Sequence, residues 1–313
     1  MIFYASGSIV DPRTLEMVVE RRIAVLTSFA YKGAMNKHFP ILAPMLRAAR
    51  YRLPYMIDSG AFTAWSKGKM VRREALIDFY NRAQDEYGDA FDFTFVSLDR
   101  IPGRQGAERT EEDYRVAADE TVENYEVMKR AVNGYVKPVY HNGDPERVLR
   151  AYDDAPYISL SASQDMAYAE REAWVSETAA RLGAERKTHG LAMTGTRMLR
   201  TARWHSVDSA SWVLWAGMGA IALLRDNGSL KLLACSAESP RNKHFDQHLS
   251  TLSSVARERI VAELEAEGIT EEEVRTDSIV RARWNILVFH RACAWAAAQP
   301  VVTARRADGL FDS

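Results

Sequence analysis

Eight short apolar segments, none longer than seven residues, alternate with amphipathic stretches through the first 210 or so residues. They are IFYAS (2–6), IAVLTSF (23–29), PYMID (54–58), FTFVSLD (93–99), YVKPVYH (135–141), YISLSA (157–162), THGLAMT (188–194) and HSVDSA (205–210). Short runs that are apolar on both faces are the mark of fully buried parallel strands. Between them, residues 71–88, 110–134, 144–152, 163–183 and 195–204 read as helices. Thr110 is an N-cap candidate followed by acids, and Pro145 after Asp144 is a helix-start signal. Eight strands alternating with helices over this length fit a compact (β/α)8 TIM barrel. A doubly wound open sheet gives the same alternation, which by itself does not separate the two.

The pattern changes after Trp212. Residues 218–237 read as a hairpin turning at Asn227-Gly228, and 249–268 and 277–298 read as helices. This divides the chain into a barrel over 1–215 and a C-terminal hairpin and helical extension over 216–313, packed on the barrel. The N-terminus has no basic n-region followed by a long apolar core, so no signal peptide or membrane span is expected and a cytoplasmic location is the default. The formal net charge is −1, so contact with nucleic acid requires a local basic patch. Only Cys235 and Cys293 occur, far apart, which leaves no zinc site and no disulfide framework to expect, and no cofactor is called for.

Polar residues gather at the predicted strand ends. Asp58, Asp99, His141, Ser161 and Asp208 each stand at or near the C-terminal end of a strand. In a parallel barrel those ends share one face, where active sites sit. Each has a plainer reading: Asp58 can cap a helix, Asp99 can pair with Arg100, and His141 can be a structural hydrogen-bonder. Taken together, three acids and an imidazole would converge on one mouth. Gly60 lets a ligand approach the backbone, and Phe62 and Trp65 follow at once. Two carboxylates flanking one bond suit glycosidic chemistry, and a third can accept from the N1–H and exocyclic amine of a purine.

The segments YMIDSGAFTAWSKG, VSLDRIPG, HGLAMT and SVDSASW, in that order, carry a family likeness. DSGAF (58–62) resembles the DSGGF/Y motif of the queuine and archaeosine tRNA-guanine transglycosylases, and the longer forms are most similar to the DNA branch of that superfamily, the DpdA-type DNA-guanine transglycosylases of phages and bacteria. The likeness covers roughly residues 2–215. It implies a TIM barrel that exchanges guanine in DNA for a 7-deazaguanine base such as preQ0. Asp208 matches the nucleophile that forms a covalent sugar intermediate, and Asp58 the general acid/base. Asp99 matches the acid that reads the base edge, Phe62 the stacking aromatic, and Ser59 and Gly60 the base-binding turn. His141 stands where the tRNA enzymes carry Gln, and Ser161 and Ala162 where a glycine pair reaches the purine O6. Those enzymes also carry a zinc site of three cysteines and a histidine that helps hold tRNA; this chain cannot build one, which favours DNA. The partners implied are DNA and the deazaguanine base, with no membrane and with a homodimer left open. If the chain is phage-encoded, its place is the host cytoplasm. A reduced tRNA enzyme and a nucleoside deoxyribosyltransferase remain the alternatives.

For DNA contact the sequence offers Arg186 and Lys187, then Arg197, Arg200 and Arg203 at spacing three on the expected helix 195–204, and Arg241, Lys243 and His244 beyond. The expectation is that the Arg197–Arg200–Arg203 side and Lys187 face phosphate.

Overall fold

The structure, a computed structural model, describes residues 1–104, 106–162, 166–239 and 247–302. Its first part runs β1 (Ile2–Ser6), α1 (Pro12–Glu20), β2 (Ala24–Ser28), α2 (Lys32–Ala48), β3 (Leu53–Asp58), α3 (Ala61–Trp65), α4 (Arg73–Tyr87), β4 (Phe91–Val96) and α5 (Glu111–Ala131). It continues through β5 (Val136–Lys137), β6 (Val139–His141), α6 (Glu146–Ala151), β7 (Tyr157–Ser161), α7 (Tyr168–Leu182), β8 (Lys187–Gly190), β9 (Ser206–Ser209) and α8 (Ser211–Gly217). Every pairing among β1 to β9 is parallel, in the order β5-β4-β3-β2-β1-β9-β8-β7-β6.

The two ends of that order are one piece of chain. Pro138, which has no N–H to give, splits residues 136–141 into β5 and β6. The Lys137 carbonyl accepts from Ser97 N at 2.9 Å on the β4 side, and the Pro138 carbonyl accepts from Ser159 N at 2.9 Å on the β7 side. The ring therefore closes, and nine named strands make an eight-stranded (β/α)8 barrel.

Strand side chains alternate between two layers with period two. Phe3, Val25, Tyr55, Ile57, Phe91, Phe93, Phe95, Ile158, Leu160 and Val207 pack into the layer shared with the helices. Tyr4, Ala24, Leu26, Met56, Val96 and Val139 form a separate cluster inside the barrel. The same parity puts Asp58 above Met56, His141 above Val139, and Asp208 above Ser206 on the inner face. A one-residue slip of any of these strands would send that polar side chain into the helical layer.

The helix α5 starts with a full capping box between Thr110 and Asp113, which contributes on the order of 1 kcal/mol. Around α6 the boundary moves: Pro145 is the N-cap rather than the first helical residue. The helix expected over 195–204 is only a 3₁₀ turn at Met198–Arg200. Met198, Leu199, Ala202 and Trp204 are buried at helix-like spacing. However, the chain must return to the far rim by Ser206, and the Trp204 indole N–H turns back onto the Met198 carbonyl at 2.9 Å.

The remaining elements are β10 (Ala220–Leu224), β11 (Leu230–Ala234), α9 (Ser254–Glu265), α10 (Glu271–Thr276) and α11 (Ser278–Ala297). The β10–β11 turn has three loop residues. Arg225 and Ser229 pair across it, and Gly228 sits at φ +78, where a Cβ would also strike Trp295. The long helix α11 lies against α8, β10 and β1, with Phe289 stacked on Phe3 at 5.8 Å. Its buried Asn285 accepts from Ala222 N at 2.6 Å and donates to the Trp212 and Ala220 carbonyls, so the hairpin edge finds partners inside the chain. No helix among the described residues is long and apolar enough to cross a membrane.

Candidate active site at the barrel mouth

Asp58 is the last residue of β3 and points inward at the C-terminal rim. Its Oδ2 accepts from the Gly60 N–H at 3.0 Å, an Asx-type turn rather than a helix cap. Gly60 is left-handed, at φ +77, and a Cβ there would come within 3.1 Å of Ala30 N and Ser28 Oγ, so glycine is required. Burial first, and then the charge of Asp99, push the Asp58 carboxyl up to about 6, against hydrogen bonds from Gly60 and Ser28. Asp208 adds a smaller push in the same direction, so the three acids feel one another across the mouth.

Asp99 lies three residues beyond β4 and is held by two donors. Ser59 Oγ donates to its Oδ1 at 3.1 Å, and His141 Nε2 lies 3.0 Å from its Oδ2. The other His141 ring nitrogen is 3.4 Å from Asp144 Oδ2, which also accepts the His141 backbone N–H at 2.8 Å. Burial opposes charge on His141, but the bonds to Asp144 and Asp99 outweigh it and hold the imidazole up to about 10. His141 is therefore an imidazolium between two carboxylates. The sequence places His141 in the strand-end cluster; here both of its ring nitrogens are turned to acids, and one of those acids is Asp99. Arg100 does not pair with Asp99: it faces Glu120 at 3.4 Å.

The raised His141 value has a stability consequence. Native protein holds an extra proton between about pH 6.5 and 10, so this stabilisation is full below the lower value and is lost as pH rises through the upper one. Melting temperature is expected to fall across that window, and His141→Gln is expected to melt lower at neutral pH with a flatter curve. Parallel wild-type and variant curves would contradict the assignment.

Asp208, on β9, has a side chain 8% exposed. Its Oδ1 accepts the Ala192 N–H at 2.9 Å. Ala192 has φ +54, a strained setting for a residue with a Cβ, and that backbone aims the amide at the acid. His189 Nε2 lies 3.3 Å from the same oxygen, within ion-pair range though not aligned as a hydrogen bond. Beneath it, His189 Nδ1 meets Ser206 Oγ at 2.5 Å, and Ser206 Oγ also bonds the Tyr157 hydroxyl. Burial keeps Tyr157 protonated, and burial followed by the field of Lys137 pushes His189 down to about 4, so the imidazole is neutral. One proton order satisfies the chain. Tyr157 donates to Ser206, Ser206 donates to Nδ1, and the remaining His189 N–H faces Asp208.

Lys137 stands in the same interior, fully buried, with Nζ 3.0 Å from Met56 Sδ and 4.5 Å from the centre of the Tyr157 ring. No carboxylate among the described residues comes within 4.0 Å of it. Burial pushes its amine well below the usual lysine range, while the fields of Asp208 and Asp58 act the other way. Sequence reading missed both Lys137 and His189 as site residues: each sits inside an apolar strand segment, and only the inward parity shared with His141 and Asp208 marks them. Removing the His189 donor, as in His189→Leu, is expected to slow turnover about 10–100-fold. Binding of a substrate should barely change. Loss of binding with turnover intact would contradict a positioning role.

Ser161 ends β7 on the inner face at the mouth, and Ala162 follows it. Phe62 is 65% exposed on α3, its ring 5.8 Å from Trp65. A cleft of about 690 Å³ opens beside the three acids rather than over them, with Asp99 on its wall.

The expected phosphate-facing side does not form. Arg197 is bound to the buried Glu172 at 2.9 Å, and Arg200 leans on the Pro300 carbonyl and the Trp295 ring. Arg203 is exposed, but with only a 3₁₀ turn here the three do not share a helix face. Lys187 opens β8, and its partner in register is Tyr157 at the start of β7. That is the opposite rim of the barrel from the acids. Arg186 donates to the Asp153 carbonyl on that same side. Arg241, Lys243 and His244 lie outside the described residues. Among the described residues, no three His, Cys, Asp or Glu side chains are grouped to hold a metal ion.

No protein-family profile matches the chain, and no curated protein is significantly similar to it in sequence. Solved structures with a similar fold include tryptophan synthase alpha subunits. A mutant alpha subunit from Pyrococcus furiosus is 12% identical with a TM-score of 0.42, covering 70% of this chain and 90% of that one. The alpha subunit from Legionella pneumophila is 9% identical with a TM-score of 0.43, covering 93% and 91%. Likeness at this level says nothing of activity or substrate.

Proposed function

We propose that this chain is a base-exchange transglycosylase that replaces guanine in DNA with a 7-deazaguanine. The observation that carries the reading is the convergence of three carboxylates, each in a different electrostatic setting, on one barrel mouth. Asp58 is poised near neutrality, as a group that must both give and take a proton should be. Asp208 is fixed by the Ala192 amide with a neutral histidine behind it, which suits a nucleophile that must stay aimed. Asp99, oriented by Ser59 and His141, keeps lone pairs for the N1–H and amine of guanine. The motif resemblance DSGAF, SLDRIPG and SVDSASW supports the same assignment of roles.

In this reading the deoxyguanosine leaves the base stack, at a cost of a few kcal/mol. Asp208 attacks C1′ while Asp58 protonates the departing base. The glycosidic bond breaks and an Asp208–C1′ ester forms. The incoming base gives its N9 proton to Asp58, and N9 attacks C1′ and frees Asp208. Two inversions retain configuration. Carbon at position 7 of the new base cannot be protonated as N7 can, so the product is the poorer leaving group.

DNA is favoured over tRNA because the two cysteines lie buried and apart, and the chain lacks the three cysteines of the tRNA enzymes' zinc segment. The test is incubation with labelled preQ0 and either duplex DNA, tRNA or free deoxyguanosine. Label entering DNA supports the reading. Label entering only tRNA, or only free nucleoside, replaces it with a reduced tRNA enzyme or a deoxyribosyltransferase.

A further inference from the structure

We propose that the cleft beside Asp99 holds the strand flanking the reacting deoxyguanosine, with a neighbouring base against Trp65 and its phosphates on Lys69 and Arg104. The proposal rests on the base-exchange reading for its choice of substrate, but the surface stands on its own observations. The cleft, about 690 Å³, runs from Ala61 and Trp65 past Lys69 and Met70 to Leu98–Arg104, a size that admits a bound ligand. Asp99 is on its wall, so it continues directly from the acid assigned to the base edge.

Its charges do not cancel. The lining holds Lys69, Arg100 and Arg104 against Asp99 and Glu120. Both acids are already engaged: Asp99 by His141 and Ser59, Glu120 by Arg100. Lys69 and Arg104 are exposed, and neither has a carboxylate within 4.0 Å among the described residues. The aromatic wall is fixed in place. The Trp65 indole N–H donates to the Gly103 carbonyl at 2.9 Å, and Arg109 covers the ring at 5.4 Å. Met70 on the lining is 72% exposed, and Phe62, whose ring lies 5.8 Å from that of Trp65, is 65% exposed, a large apolar outlay for solvent alone. Free cations next to rigid aromatic and apolar groups are the chemistry that holds a nucleic-acid strand, stacking its bases and tracking its phosphates. An acidic peptide would use the cations but not the ring.

The experiment is fluorescence anisotropy of the full chain with a labelled DNA duplex carrying one mispaired guanine, and with the single strand, over a series of salt concentrations. Lys69→Glu/Arg104→Glu is expected to weaken binding at least about tenfold and to reduce the slope of log K on log salt by about two, one unit for each phosphate lost. Trp65→Leu is expected to weaken single-strand binding about 5–100-fold, with Trp65→Tyr restoring most of it. Unchanged affinity and slope in the charge-reversal variant overturns the proposal, as does an equal loss of affinity for polyglutamate. Its failure is distinguishable from failure of base exchange. If exchange proceeds and these variants bind normally, the surface is wrong and the activity stands. If no base is exchanged yet the variants lose DNA as described, the surface stands without the activity.

Discussion

Asp208→Asn is expected to abolish base exchange, lowering turnover roughly 10⁴–10⁶-fold, while DNA binding stays within about twofold of wild type. The substitution is nearly isosteric. The Asn carbonyl can still accept the Ala192 N–H that Asp208 Oδ1 accepts at 2.9 Å, so the β9 rim and the left-handed turn at Ala192 have no reason to move. What is lost is the negative charge that attacks C1′, and an amide oxygen does not replace it at neutral pH. The contrast between a dead reaction and intact binding is the informative part. A barrel that only bound nucleic acid would be indifferent to the change. A fall in both quantities together would mean that Asp208 supports the fold rather than the reaction, and circular dichroism of the variant separates that outcome.

The second large effect belongs to Asp58. Asp58→Asn is expected to cost about 10²–10⁴-fold in exchange, because one carboxyl serves both half-reactions as proton donor and then acceptor. In the wild type its value near 6 sets opposite slopes for the two halves. Release of guanine from DNA needs protonated Asp58, so its single-turnover rate should fall about tenfold per pH unit above 6. Incorporation of the incoming base by the preformed ester needs ionised Asp58, so its rate should rise up to about pH 6 and then level. The variant should lose both dependences. Two half-reactions with the same slope would assign the proton transfer to another group, and His141, held charged near neutrality by Asp144 and Asp99, could not supply it without breaking one of those bonds.

The sequence made the barrel legible because fully buried parallel strands leave little choice of residue. Each of the eight apolar segments carries a strand, and period two then places Asp58 and Asp208 on the inner face without further information. Closure was not legible, since it depends on Pro138 dividing one segment between two neighbours. The helices α1 and α2 were overlooked: α2 carries Pro40 and Pro44 inside it, and both residues argue against a helix locally. The Arg197, Arg200 and Arg203 spacing misled because it assumes a helix, and between β8 and β9 only a 3₁₀ turn at Met198–Arg200 forms. His141 carried a nearby clue in Asp144, three residues on, which now accepts its backbone N–H. Lys137 and His189 carried only the inward parity they share with His141 and Asp208, which does not tell a structural polar side chain from a site residue.

The covalent step can be observed directly. Duplex DNA incubated with the protein in the absence of any incoming base, quenched and digested with protease and nuclease, should yield by mass spectrometry a peptide containing Asp208 with a deoxyribosyl remnant on that side chain, and free guanine in equal amount. The adduct should vanish on adding preQ0 as the deazaguanine enters the DNA. Unmodified Asp208 alongside released guanine, or an adduct on Asp58 or Asp99 instead, would contradict the assignment of the nucleophile and with it the division of labour among the three acids.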